Sequence, residues 1–270
     1  MVSSASDLLV FVLLVLPGAA AFNGVVPARS PFVGALLRPA YPMASRTTSA
    51  TSLAPSGIDE LPLIQQTAVV AGIFGLLGAG STLTTSLLQA ICNAVGSRSL
   101  MATKAGVGNA IACLLGVAFV LAGYSHFAFS SAYEAIYPPP GTWGFWYLPG
   151  TASFHVQWTG VAEALGGSGL FLGALGDLLG DPLASGRARP LRQVSASALF
   201  ALMVAVFPAN IYQYTHGALM EGVGPATDGP LPLEYHYARL AIQIALLGLL
   251  SLLSREEGRV PTAREEQRDL

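Results

Sequence analysis

The chain has 270 residues, 53 % of them hydrophobic and only 10 % charged, with a formal net charge of −2 and a mean hydropathy of +0.57. A soluble domain carries about 25 % charged residues, so the expected solvent is a bilayer. No basic patch with interleaved aromatics occurs, which excludes nucleic acid as a partner, and Cys92 and Cys113 stand 21 positions apart in apolar stretches, neither a redox dithiol nor a zinc spacing.

The first predicted element is an address. Residues 8–16 form a short apolar core, followed by Pro17-Gly18, Ala19-Ala20-Ala21 and Phe22. A short apolar core before an A-x-A site reads as a signal peptide over 1–21. No acidic residue lies between Phe22 and Ile58, where Arg29, Arg38 and Arg46 stand among Ser, Thr, Pro and Ala. That composition predicts a transit peptide or disordered leader over 22–58. The succession resembles the bipartite presequence of algae with secondary red-type plastids, with Phe22 at the junction. The resemblance implies a plastid membrane and a mature start between about Ala44 and Asp59.

Five apolar spans follow, at about 64–95, 106–128, 155–179, 194–216 and 237–254. A span needs about 20 apolar residues. Backbone groups in lipid must pair within their own segment, so helices are expected and the fold class is an all-α integral membrane bundle. The first span is long and carries Ser81, Thr82, Thr84, Thr85 and Ser86, which suggests an interfacial lower half. Small residues permit close helix approach, and Gly169/Gly173 form a GxxxG in the third span.

Charge orients the spans. Arg98 and Lys104 lie between spans one and two, and Arg187, Arg189 and Arg192 between three and four. Arg255, Arg259, Arg264 and Arg268 belong to the polar tail 255–270. All nine fall on one side if every span crosses, while 129–154 and 217–236 contain no Lys or Arg. This is the positive-inside pattern, and in a plastid it makes the basic loops and C-terminus stromal.

The same topology sends His126, His155, His216 and His236 to the non-basic face. Glu163 lies about 12 Å deeper than His155, Asn210 about 9 Å deeper than His216, and Gln243 about 10 Å deeper than His236, from a rise of about 1.5 Å per residue. Three helices therefore carry a polar group at a similar level. Glu163 must face the bundle and be neutral or paired, since charge in lipid is costly, and Arg239 is the basic candidate for the pairing. Pro208 removes the partner of the Val204 carbonyl, and Asn210 is expected to compensate. Tyr212 and Tyr214 suit the membrane interface. The aromatic loop "GTWGFWYLPGTASF" predicts a lid lying on the membrane. No metal-ligand spacing, phosphate loop, nucleophile elbow or haem-attachment motif occurs.

Four passages carry a family resemblance: "LAGYSHF" with "SSAYEAIYPPP", "QWTGVAEALGGSGLFLG", "MVAVFPANIYQYTHG", and the Arg-x-x-x-Gln of "ARLAIQIALL". Together they resemble the DoxX family of small membrane proteins, from about Gly116 to Leu253. The resemblance implies a four-helix core over 106–254, preceded by an extra transmembrane helix and loop over 59–105. It assigns the family's pocket to His126, Tyr133, Pro138, Glu163, Pro208, Asn210, Arg239 and Gln243. Relatives are associated with membrane redox chemistry, which implies a quinone link.

Three functions compete. The first is a quinone-interacting redox or redox-accessory protein, with Glu163 as the proton-handling residue. Its ligand site would be built from His126, Tyr133, Pro138, Pro208, Asn210, Tyr212, His216, Arg239 and Gln243. The chain itself has no cofactor motif, so electrons would come from a redox partner protein or a bound substrate. The expected partners are the lipid bilayer, a quinone or small apolar ligand, and that protein. The second is a structural or assembly factor of a plastid membrane complex, with the polar residues locking helix packing. The third is a small-solute carrier, disfavoured by five spans without inverted repeats.

Overall fold

The computed structural model describes residues 54–94, 98–180, 188–220 and 229–255. The signal and transit segments up to residue 53, the tail beyond Arg255, and Arg187, Glu221 and Asp228 lie outside the described residues. The described chain is all-α. Its helices are α1 (Leu63–Ala94), α2 (Arg98–Ala128), the short α3 (Ser130–Ala135), α4 (Ala152–Leu178), α5 (Ala188–His216) and α6 (Leu233–Ser254). The five long ones are each long and apolar enough to cross a membrane. α1, at 32 residues, is one continuous helix. At about 48 Å it exceeds the roughly 30 Å hydrocarbon core, so part of it extends beyond the core. Ser81, Thr82, Thr85 and Ser86 donate to carbonyls one turn back, which satisfies their hydroxyls within the helix. α4, α5 and α6 begin three to six residues earlier than their apolar runs, at Ala152, Ala188 and Leu233. Thr151 caps α4 by accepting from the Phe154 N–H.

The helices pack in the spatial order α2–α4–α5–α6–α1. The core is built from buried Ala112, Phe119, Leu170, Leu199, Leu247 and Leu250. The α2–α4 seam is set by two reciprocal glycine pairs. A Cβ on Gly116 would lie 2.7 Å from Gly167 O, and one on Gly167 would lie 2.6 Å from Gly116 O. Gly123 and Gly160 repeat the arrangement at 2.5 and 2.9 Å. Each helix thus offers two glycines seven residues apart, on one stripe, letting the backbones touch. The GxxxG pair Gly169/Gly173 instead faces the start of α5: Gly173 abuts Arg192 N and Gly169 abuts Ser195.

α1 attaches along a narrow stripe, with Gln66, Val70, Leu77, Ser81 and Thr85 buried. Near the basic end Thr85 Oγ1 donates to Gly248 O of α6 at 3.3 Å. Near the other end Thr67 Oγ1 donates to Trp143 O at 2.6 Å. Residues 54–58, placed in the leader by composition, pack here against the bundle. Ala54 is 3 % exposed, and Ser56 donates its hydroxyl to Tyr214 O at 2.8 Å. At the basic end Arg255 Nη1 donates to Gln89 Oε1 at 2.7 Å, and Gln193 Nε2 donates to Arg255 O at 3.1 Å. These end-to-end contacts make the helices alternate in direction, as the charge pattern requires.

One residue of the aromatic loop, Trp143, is a plug. Trp143 is 1 % exposed and inserts between α1 and α5, with its Nε1 donating to Thr215 Oγ1 at 3.0 Å. A single helical turn, Thr142–Gly144, presents it, with Trp143 at φ 57°, ψ 12°. Gly141 and Gly144 flank it at φ 88° and 81°. Phe145, Tyr147 and Leu148 remain exposed and keep an apolar rim beside the plug.

Candidate functional site

The polar residues at the non-basic end fall into two groups that meet at Tyr133. In the first, the last turn of α2 brings His126 against α4. His126 Nδ1 lies 3.0 Å from Val156 O and 3.2 Å from Thr159 Oγ1, and its ring stacks on Tyr133 at 4.0 Å between centroids. A carbonyl oxygen can only accept, so Nδ1 carries the ring proton in neutral His126 and Nε2 presents a lone pair. Nε2 faces Glu163 Oε2 at 3.6 Å, outside hydrogen-bond distance. Glu163 is 5 % exposed, and its Oε2 makes no hydrogen bond. A carboxyl and an imidazole so placed can hold one proton on either partner after a small approach.

Tyr133 stands on α3, outside the spans, and its hydroxyl lies 2.6 Å from Ser125 Oγ. Ser125 gives its own proton to Ala122 O at 2.6 Å, which makes Tyr133 the donor. Burial pushes the Tyr133 phenol up to about 12, with the Glu163 carboxylate adding to the effect and the Ser125 bond and Arg239 charge opposing it. The phenol therefore stays a hydrogen-bond donor at neutral pH.

The second group is on α5 and α6. Arg239 Nη1 donates to Gln213 Oε1, and Gln213 is 2 % exposed. Arg239 is thus held by a neutral amide and not by Glu163, whose ionisable neighbour is His126. The expectation of an Arg239–Glu163 pair fails because the guanidinium stays on the α5–α6 side, although its charge is felt at Tyr133. Gln243 donates from Nε2 to Met203 O at 3.3 Å. That carbonyl is adjacent to that of Val204, whose partner buried Pro208 removes, and Asn210, half-buried, makes no side-chain hydrogen bond among the described residues. Glu163, Asn210 and Gln243 share no hydrogen bond with one another among the described residues.

Tyr212 and His216 stack at 4.8 Å and meet the plug, with ring centroids 6.4 and 6.2 Å from that of Trp143. Pro138 is buried in the stretch between α3 and the Trp143 turn. His155 lies 2.8 Å through Nε2 from Pro149 O and accepts at Nδ1 from Trp158. Among the described residues no group of three or more His, Cys, Asp or Glu side chains could hold a metal ion. The structure therefore brings together His126, Tyr133 and Glu163, with Arg239 across from them. It leaves Pro208, Asn210, Gln243, Tyr212 and His216 in other packing contacts.

Several participants escaped the sequence reading. Ser125 and Thr159 orient Tyr133 and His126, and Gln213 holds Arg239. None carries a charge or motif that would single it out, although Trp143 between two glycines does signal a bulky side chain on a tight turn. At the basic end Arg192 is 2 % exposed. Its Nη1 donates to Asn109 Oδ1 at 2.9 Å, and its Nε lies 3.5 Å from Asp177 Oδ2. Read from sequence as a loop charge, Arg192 in fact ties α2, α4 and α5 together.

No protein-family model, curated protein or solved structure matches the chain. The fold defines a five-helix apolar bundle of multi-pass membrane type.

Proposed function

We propose that the chain is a DoxX-like, quinone-interacting redox or redox-accessory component of a plastid membrane, with the polar cluster at the non-basic end as its site. One observation carries the reading. Glu163 is buried in a spanning helix with an Oε2 that makes no hydrogen bond, 3.6 Å from His126 Nε2. Intramembrane acids face function by default, because burying one without need is costly. A bound quinone supplies two carbonyl oxygens that take up two electrons and two protons on reduction. The donor set fits such oxygens: Arg239 offers N–H groups beyond the one given to Gln213, and the Glu163–His126 pair holds a transferable proton. Electrons would arrive from a redox partner protein. The resemblance of the four passages and the composition of the leader support the family and the plastid address.

A second reading is a structural or assembly factor. It is favoured by His126, Tyr133 and Arg239 each bridging separate elements: α2 to α4, α3 to α2, and α6 to α5. The two part on quinone content. Protein purified gently from its native membrane, then lipid-extracted for mass spectrometry, should carry near-stoichiometric quinone that a folded Glu163→Gln/Arg239→Gln variant loses. Background quinone in both would overturn the redox reading and leave the assembly role.

A further inference from the structure

A cleft of about 210 Å³ opens between α1, α5 and α6, toward the basic end and away from the Glu163 cluster. Its inner wall is apolar, with Phe74, Phe200 and Leu247. Toward the basic surface the lining turns to hydroxyls, at Ser81, Thr82 and Ser251. Arg255 stands at the mouth. The gradient from hydrocarbon through hydroxyls to a fixed cation is the gradient of an anionic glycerolipid from acyl chain through ester to headgroup.

Three details favour a built site over a gap in packing. Arg255 is held from two helices, its Nη1 on Gln89 Oε1 and its carbonyl accepting from Gln193. Holding the side chain beforehand reduces the ordering cost of binding. The Ser251 hydroxyl makes no hydrogen bond among the described residues and can donate to an ester carbonyl, whereas Ser81 and Thr82 give their protons to Leu77 O and Gly78 O. Gly78 lines the cleft, and a Cβ there would meet nothing within 4 Å. The opening is thus wider than the α1–α6 contact below it, where a Cβ on Gly80 would lie 2.8 Å from Ile244.

We infer that this cleft binds one acyl chain of an anionic glycerophospholipid from the basic-side leaflet, with the phosphate on Arg255. Each guanidinium nitrogen beyond the one bound to Gln89 can donate to phosphate oxygens in a charge-assisted pair. Juxtamembrane arginines also sit in the leaflet region where anionic headgroups concentrate. The site does not depend on the quinone reading, since the two lie at opposite ends of the bundle.

The test uses the full chain in nanodiscs of equal phosphatidylglycerol and phosphatidylcholine, released into mild detergent for native mass spectrometry. Wild type should retain one phosphatidylglycerol per chain. Arg255→Gln should lower its preference over phosphatidylcholine at least tenfold, and Arg255→Lys should keep most of it. Gly78→Phe, aimed into open space, should lose the bound lipid while keeping the helical circular dichroism of wild type, and Gly78→Ala should bind normally. Equal retention of the two lipids, an Arg255→Gln variant that binds as wild type, or a bound quinone in place of phospholipid would each overturn the inference.

Discussion

Trp143→Ala should be among the most damaging single changes in the described chain. The ring is 1 % exposed. It packs against Phe145, Trp146, Tyr212 and His216 with centroid distances of 5.9 to 6.4 Å. Truncating a buried Trp to Ala costs about 3–5 kcal/mol, most of it packing and cavity. The indole bond to Thr215 contributes about 1 kcal/mol of that. Thr215 also donates to Ile211 O at 2.9 Å, so it is not orphaned when the indole goes. Trp143→Phe should therefore cost clearly less than Trp143→Ala. The backbone adds a sharper test. At φ 57°, ψ 12° an L-residue is disfavoured by roughly 1–2 kcal/mol relative to glycine. Trp143→Gly should then be about 1 kcal/mol more stable than Trp143→Ala, the reverse of the usual order at a helical position. The assay is reversible unfolding of purified protein in mixed micelles, followed by circular dichroism, with Trp158→Ala as the control. Trp158 is 39 % exposed and should cost about 1 kcal/mol through its bond to His155. If Trp143→Ala costs no more than Trp158→Ala, the plug is not a structural element. If Trp143→Gly is the less stable of the pair, the left-handed turn is wrong.

Two further predictions use the same assay. Gly123→Ala and Gly160→Ala should each destabilise by about 1–3 kcal/mol, because a methyl must push apart backbones already in contact. Gly72→Ala, where a Cβ meets nothing within 4 Å, should instead stabilise by up to about 1 kcal/mol; equal effects at Gly72 and Gly123 would refute the seam. Asp177→Asn should cost about 3–5 kcal/mol by leaving Arg192 without its anion, and Arg192→Met/Asp177→Leu should recover most of the loss. A double variant worse than the single would show that the pair itself, and not its breaking, carries the stability.

The sequence made the spans and their alternation legible because both are one-dimensional signals. Apolar length marks a span, and nine basic residues confined to alternate connections and the C-terminal tail orient it. Which helix touches which was not legible, and the reason is physical. In lipid the outward face is as apolar as the inward one, so hydrophobic periodicity does not separate core from surface. Leu165, 69 % exposed, and Leu170, fully buried, stand on the same helix with the same chemistry. Glycine could have helped: Gly160 and Gly167 on α4 mirror Gly116 and Gly123 on α2 at the same spacing of seven. Gly169/Gly173 forms a GxxxG, a named pattern, whereas a pair spaced by seven is not one. Among the site residues, depth can be estimated from rise per residue but rotation about the helix axis cannot, so which polar partners Glu163, Asn210 and Gln243 take was not legible.

Glu163 is the one buried acid among the polar groups of the spans in the described residues, although Gln66 Oε1 and Arg192 Nε also lack a hydrogen bond. Thr85, Thr215, Gln213 and Gln243 each have a hydrogen-bond partner that explains their burial as packing. Arg192 has Asn109 and Asp177. Glu163 faces His126 across 3.6 Å with no hydrogen bond at Oε2. Were the carboxyl only interhelical glue, a donor within reach would lower the cost of its burial, and Thr159 is only one turn away. That hydroxyl is turned instead toward His155 O and Val156 O at 2.7 and 3.0 Å, on the side of His126 Nδ1. The arrangement fixes the imidazole and leaves its Nε2 lone pair, and the acid, to each other.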